Sequence, residues 1–169
     1  RATGEPKELF IGRSLGAALA MGNACVLKPA EEACLTALAF ADLARQAGFP
    51  EGAVNVVPGL GAEAGAALSG HPGVGHVSFT GSVATGRLVQ AAAARNVVPV
   101  TLELGGKSPQ LVFADADLDK APPFLVNAGL QNAGQTCSAA ARILVERRRF
   151  DEVTGRMAEA YRAKVAAPA

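Results

Sequence analysis

Short runs of aliphatic and β-branched residues recur along this chain, and between them small and apolar residues return every three or four positions. The runs at 24–28, 54–57, 76–79, 98–104, 110–113 and 142–146 have the length and composition of buried strands. The segments at 8–20, 36–47, 62–68, 82–94 and 150–165 carry a helical period. In 36–47, Leu38, Ala41 and Leu43 fall to one side, with Asp42 and Arg45 on the other. Gly22-Asn23 and Gly48 supply the stops expected of helix C-termini, and Pro29 ends the first strand. Asp115-Ala116-Asp117 is expected to cap a further helix running toward Gln131, but Pro122-Pro123 lies within its first turns. Proline is tolerated only in the first helical turn, so a helix beginning near Pro122, or a kink there, is expected. Strand–helix alternation of this kind predicts an α/β fold, an open parallel Rossmann-like sheet with flanking helices.

Composition narrows the partners. The chain has 169 residues, half of them hydrophobic, enough for one well-buried domain or one domain and part of another. Lys and Arg (16) nearly balance Asp and Glu (15), which leaves no basic field for nucleic acid. Cys25, Cys34 and Cys137 show neither metal-ligand spacing nor even pairing, so no metal site is expected. Cys25 and Cys34 read as packing residues in a reducing compartment. The sequence offers no apolar run approaching a membrane span and no signal-peptide pattern, and these together point to a soluble cytoplasmic protein.

Four stretches carry candidate chemistry. Glu103 ends an apolar run and has Gly105-Gly106 behind it, a suitable setting for a base acting on water. Cys137 stands among small and polar residues in Asn132-Ala133-Gly134-Gln135-Thr136-Cys137-Ser138, where a thiol keeps access to substrate. A buried small cysteine and a solvated glutamate are the competing reading of the same residues. Phe79-Thr80-Gly81-Ser82-Val83-Ala84-Thr85-Gly86 crosses a strand-to-helix junction, where free N–H groups and the helix dipole suit a phosphate or, more plainly, a capping serine. Lys28 and Glu31 follow the first strand at its carboxyl end. A glutamate there can accept from both hydroxyls of a ribose and repels a 2′-phosphate, while a solvated loop pair is the alternative.

Leu102-Glu103-Leu104-Gly105-Gly106-Lys107-Ser108-Pro109 resembles the glutamate signature of the aldehyde dehydrogenase superfamily, and Asn132 to Cys137 resembles its cysteine signature, 34 positions further on. Leu27-Lys28-Pro29-Ala30-Glu31 and Phe79-Thr80-Gly81-Ser82 agree in the same order, and the similarity runs from about Leu15 to about Arg156. The resemblance implies NAD-dependent oxidation of a small-molecule aldehyde to its carboxylate, with NADP possible. Cys137 would be the nucleophile and Glu103 the base that hydrolyses the thioester. Lys28 and Glu31 would contact the adenosine ribose, and Glu31 favours NAD. Gly61, Phe79, Thr80, Gly81, Ser82 and Gly86 would belong to the nucleotide site, with Leu104 and Gly105 beside the nicotinamide and Thr136 shaping the aldehyde pocket. Residues 1–105 would form a partial cofactor-binding domain and 106–169 the start of a catalytic domain. No nucleic acid or membrane partner is implied, and family members form homo-dimers or homo-tetramers.

The pattern departs from the family in three places. Glu5 falls near the position of the family's oxyanion-hole asparagine, and a carboxylate cannot donate to an oxyanion. Ala140-Ala141 replaces the usual glycine and small hydroxyl residue. Family members are well over twice as long, which implies a fragment not expected to turn over alone. A degenerate, nucleotide-binding or oligomer-interaction module and a cofactor-independent esterase are the competing functions.

Overall fold

The computed structural model describes residues 12–164, so the expectations at Glu5 and for the first turn of the opening helix lie outside the described residues. Two compact units are present, residues 12–103 and 104–164.

In the first unit, strands β1 (Cys25–Leu27) and β2 (Val54–Val56) pair in parallel, Cys25 opposite Val54 and Leu27 opposite Val56. The ladder extends on both sides, with Cys25 N donating to Ala53 O at 2.8 Å and Val57 N to Leu27 O at 2.9 Å. Strand β3 (Val77–Gly81) pairs with β4 (Val100–Leu104) in a second two-stranded sheet. The strand expected from residue 98 starts at Val100, because the chain leaving the preceding helix turns through Val97 at a φ of 56°. The opening helical segment is a π-turn (Gly12–Gly16) running into α1 (Ala17–Ala20), closed by Gly22 at a φ of 78°.

Helix α2 (Cys34–Gln46) ends in a Schellman motif: Phe49 N donates to Ala44 O and Gly48 N to Arg45 O, both at 3.1 Å. Gly48, at a φ of 87°, is the left-handed residue this motif requires. The expected apolar side needs correction. Leu38 and Leu43 are exposed at 41% and 61%, while Ala37 and Ala44, two turns apart, are the buried residues. Small side chains let the helix lie close against β2, and the bulkier leucines are left at the flanks.

A second π-turn (Gly61–Gly65) leads into the short helix α3 (Ala66–Ser69). Gly59, before it, has a φ of 155°, and a Cβ there would lie 2.9 Å from that of Ala64. Helix α4 (Val83–Ala94) packs on α3, and Asn96 Nδ2 donates to Gly70 O at 2.8 Å to hold the two helix ends together.

In the second unit, β5 (Pro109–Val112) and β6 (Arg142–Val145) pair in parallel, Gln110 opposite Ile143 and Val112 opposite Val145. Helices α5 (Ala121–Leu130) and α6 (Phe150–Arg162) pack together, and Val112, Leu118, Val126, Val153 and Met157 form the core. Helix α5 starts one residue before Pro122, so both prolines occupy its first turn, where the missing N–H groups remove no helical bond. Asp117 does not cap α5 through its side chain; its carboxylate accepts from the amides of Asp119 and Lys120 in the turn before the helix. In α6, Val153 and Met157 stand one turn apart on the inner side, with Asp151 and Glu152 at the positive end of the helix and Arg162 at the negative end. The α/β class, with short parallel sheets and flanking helices, is the one the hydrophobic pattern predicts.

Candidate functional site

Because β1 and β2 run parallel and adjacent, the segments leaving their carboxyl ends lie side by side. Glu31, after β1, reaches the turn after β2 and accepts the backbone N–H of Gly61 on Oε1 at 2.6 Å. Its other oxygen stands 3.7 Å from Lys28 Nζ, whose side chain is mostly buried. The Gly61 N–H is the main cause holding the Glu31 carboxyl below its ordinary range, helped by the charge of Lys28. Lys28 and Glu31, expected at the ribose, and Gly61, expected elsewhere in the nucleotide site, are therefore brought together.

Beside them opens an apolar cleft of about 250 Å³, lined by Val26, Lys28, Val57, Ala64, Ala67, Leu68 and His71. Of these, only Lys28 was among the expected site residues. The recurrence of Ala64, Ala67 and Leu68 at helical spacing is the signal that could have found those three. His71 accepts the N–H of Gly73 on Nδ1 at 3.0 Å, so in its neutral form the ring carries its proton on Nε2.

At the β3–α4 junction, Ser82 is the N-cap, its Oγ accepting from Thr85 N at 3.1 Å. The amides of Val83 and Ala84 fall in the first turn, where a helix offers no internal acceptor. Thr80, Gly81 and Ser82 are exposed, whereas Phe79 is half-buried and Gly86 is buried within α4. The room beside Gly81 is filled by the Phe79 ring, since a Cβ there would lie 2.6 Å from the ring's tip. Gly81 thus admits its own strand neighbour.

Glu103 is half-buried near the carboxyl end of β4. In the second unit, Leu104 is half-buried and Gly105 exposed, and a Cβ on Gly106 would stand 3.9 Å from the Cys137 carbonyl oxygen. Cys137 is exposed, whereas Cys25 and Cys34 are half-buried, and burial pushes the Cys25 thiol up. The loop before Cys137 takes three consecutive left-handed residues, with φ of 51° at Asn132, 57° at Ala133 and 73° at Gly134. A turn closes it, Gln135 N donating to Asn132 O at 3.0 Å and Asn132 Nδ2 to Gln135 O at 3.2 Å. Thr136 buries its hydroxyl without a hydrogen-bond partner. Beyond the cysteine, Ala140 N donates to Ala128 O at 3.1 Å, and Gln110 Nε2 donates to Leu125 O at 3.1 Å and Ala140 O at 3.2 Å. Arg142 Nε donates to Lys107 O at 3.0 Å. Gln110 and Arg142 were not among the expected site residues, because no sequence spacing shows what a side chain will reach.

Among the described residues no cluster of three His, Cys, Asp or Glu could hold a metal ion, and no helix is long and apolar enough to cross a membrane.

The aldehyde dehydrogenase family matches residues 8–168, and the chain belongs to that family. It is 52% identical over 155 residues to aldehyde dehydrogenase, cytosolic 1, of Rattus norvegicus, covering 91% of this chain and 31% of that protein. A solved aldehyde dehydrogenase structure from Burkholderia cenocepacia shares 64% identity at a TM-score of 0.85, covering 89% of this chain and 32% of that one. A variant of aldehyde dehydrogenase C from Pseudomonas syringae, solved with NAD+ and octanal, shares 45% identity at a TM-score of 0.84, with 89% and 31% covered. The chain thus spans about a third of the length of the relatives it matches.

Proposed function

We propose that this chain supplies the nucleotide-binding core and the reactive cysteine of an enzyme that oxidises an aldehyde to a carboxylate with NAD. Residues 1–105 serve the cofactor and 106–169 begin the catalytic portion. The observation that carries the reading is the exposed Cys137 on a turned, hydrogen-bonded loop, in a chain whose family relatives include one solved with NAD+ and an aldehyde.

The residues present fit an adenine nucleotide. The apolar cleft suits a flat base, the Lys28–Glu31 pair offers a donor and an acceptor to a ribose, and the first-turn amides of α4 suit a phosphate. Thr80, Gly81 and Ser82 would border that phosphate, with Phe79 and Gly86 packing beneath, and Leu104 and Gly105 would border the nicotinamide. When bound, NAD supplies the acceptor for the hydride of the aldehyde carbon. The Cys137 thiolate adds to the carbonyl carbon, and oxidation at that carbon leaves a thioester on sulfur. Glu103 takes a proton from the water that hydrolyses it, releasing the carboxylic acid and the thiol. Glu31 disfavours a 2′-phosphate by like charge, so NAD is preferred over NADP.

The test is NADH formation from an aliphatic aldehyde by the full-length protein that carries this sequence. Turnover abolished by Cys137→Ala supports the reading. Nucleotide binding without turnover in the unmodified protein would favour a binding module instead.

A further inference from the structure

We propose that the backbone amide of Gly61 is a positioning group of the nucleotide site: it aims the Glu31 carboxylate at the ribose and so sets the preference for a 2′-hydroxyl over a 2′-phosphate. The proposal rests on the nucleotide reading given above and adds to it the part of the chain that orients the selecting charge.

Glu31 is a side chain with three rotatable bonds, exposed at 41%, so it needs a partner to hold one orientation. Lys28 holds one oxygen only loosely, at 3.7 Å. The short contact is the one to Gly61 N, at 2.6 Å, across 30 positions of sequence. A charge-assisted hydrogen bond of that length restricts the carboxylate to one orientation. The donor is available because Gly61 is the first residue of its helical turn, where an N–H has no acceptor within the helix. Each carboxylate oxygen has a second lone pair, so Glu31 can accept from Gly61 and from a ribose hydroxyl together.

Space does not demand glycine here. A Cβ at Gly61 would lie 3.5 Å from Glu31 Oε1 and 4.0 Å from Lys28 Nζ, ordinary contacts both, and the residue has no left-handed φ. What the position contributes is its N–H, and the backbone allows a clean deletion of that group. Leu60 is extended at φ −68° and ψ 143°, the conformation favoured before proline, and proline is at home in the first helical position. Gly61→Pro therefore removes the donor, and Gly61→Ala keeps it.

The experiment is calorimetric titration of the full-length protein with ADP-ribose and with its 2′-phosphorylated form, thermal melts confirming that each variant is folded. The unmodified protein and Gly61→Ala are expected to prefer ADP-ribose by a similar ratio. Gly61→Pro is expected to weaken ADP-ribose roughly tenfold while affecting the 2′-phosphorylated ligand less, so the preference narrows. In a Glu31→Gln background, Gly61→Pro should change the preference little further, because the charge to be aimed is gone. A folded Gly61→Pro with the unmodified preference, or one weakened equally for both ligands, would overturn the positioning role. Failure of the unmodified protein to bind either ligand would overturn the nucleotide reading itself, and this role with it.

Discussion

Gln110 and Ala140 are joined by a side-chain amide donating to a backbone carbonyl at 3.2 Å, which fastens strand β5 to the segment three residues beyond Cys137. The same amide nitrogen donates to Leu125 O at 3.1 Å, so one side chain ties β5, α5 and the cysteine loop. Gln110→Met keeps the volume and removes both bonds, taking this donor from the carbonyl of buried Ala140. The expected loss is about 1–3 kcal/mol of stability. Chemical denaturation checks it, and an unchanged midpoint would mean that water replaces the amide.

Cys137 is exposed and the other two thiols are half-buried, so alkylation should be ordered. Iodoacetamide followed by peptide mass mapping is expected to modify Cys137 first and Cys25 last, since burial raises the Cys25 thiol and lowers its thiolate fraction. Equal rates at all three would remove the support for a reactive Cys137.

If Glu103 activates the hydrolytic water, Glu103→Gln should let the thioester accumulate on Cys137. Intact mass after mixing with NAD and an aldehyde should show an acyl adduct that decays roughly 10²–10⁴-fold more slowly than without the substitution. Cys137→Ala should show no adduct. A Glu103→Gln enzyme that turns over at the unmodified rate would assign the base elsewhere.

Ala133 takes a φ of 57°, a conformation that costs a residue with a Cβ about 1 kcal/mol. Ala133→Gly is expected to raise the melting temperature or leave it level, glycine's larger unfolded-state entropy offsetting part of the relief. Ala133→Val should lower it, because a β-branched side chain is worse in this region. The reverse order would exclude strain at this position.

Glu31 has its carboxyl held below the ordinary value, first by the Gly61 N–H. The folded state therefore binds protons less readily than the unfolded one. The stabilisation is complete above the unfolded pKa of about 4.3 and is lost as pH falls through the lower folded value. The stability gap between the unmodified protein and Glu31→Gln should be level near neutrality and shrink only under acid conditions. A gap that grows as pH falls would contradict this sign.

Local rules carried far into this fold. Gly48 stops α2, the proline pair starts α5, and Ser82 caps α4, each through one or two residues whose backbone or side-chain chemistry acts over a few positions. The four ordered motifs were likewise readable, because each is a short run of residue types and its order along the chain survives in sequence.

Other features depend on distance in space. That α2 buries Ala37 and Ala44 and exposes Leu43 follows from how closely the helix approaches β2, which periodicity alone does not specify. The Glu31–Gly61 bond exists because β1 and β2 are parallel neighbours and bring their exits together across 30 positions. Gln110 meets Ala140 for the same kind of reason, through the pairing of β5 with β6. The sequence by itself determined most of the elements, the stop at Gly48, the cap at Ser82 and the residue types of the candidate site. The tertiary structure alone decided which backbone groups hold Glu31 and the loop of Cys137, since a hydrogen bond between distant segments depends on strand pairing and helix approach.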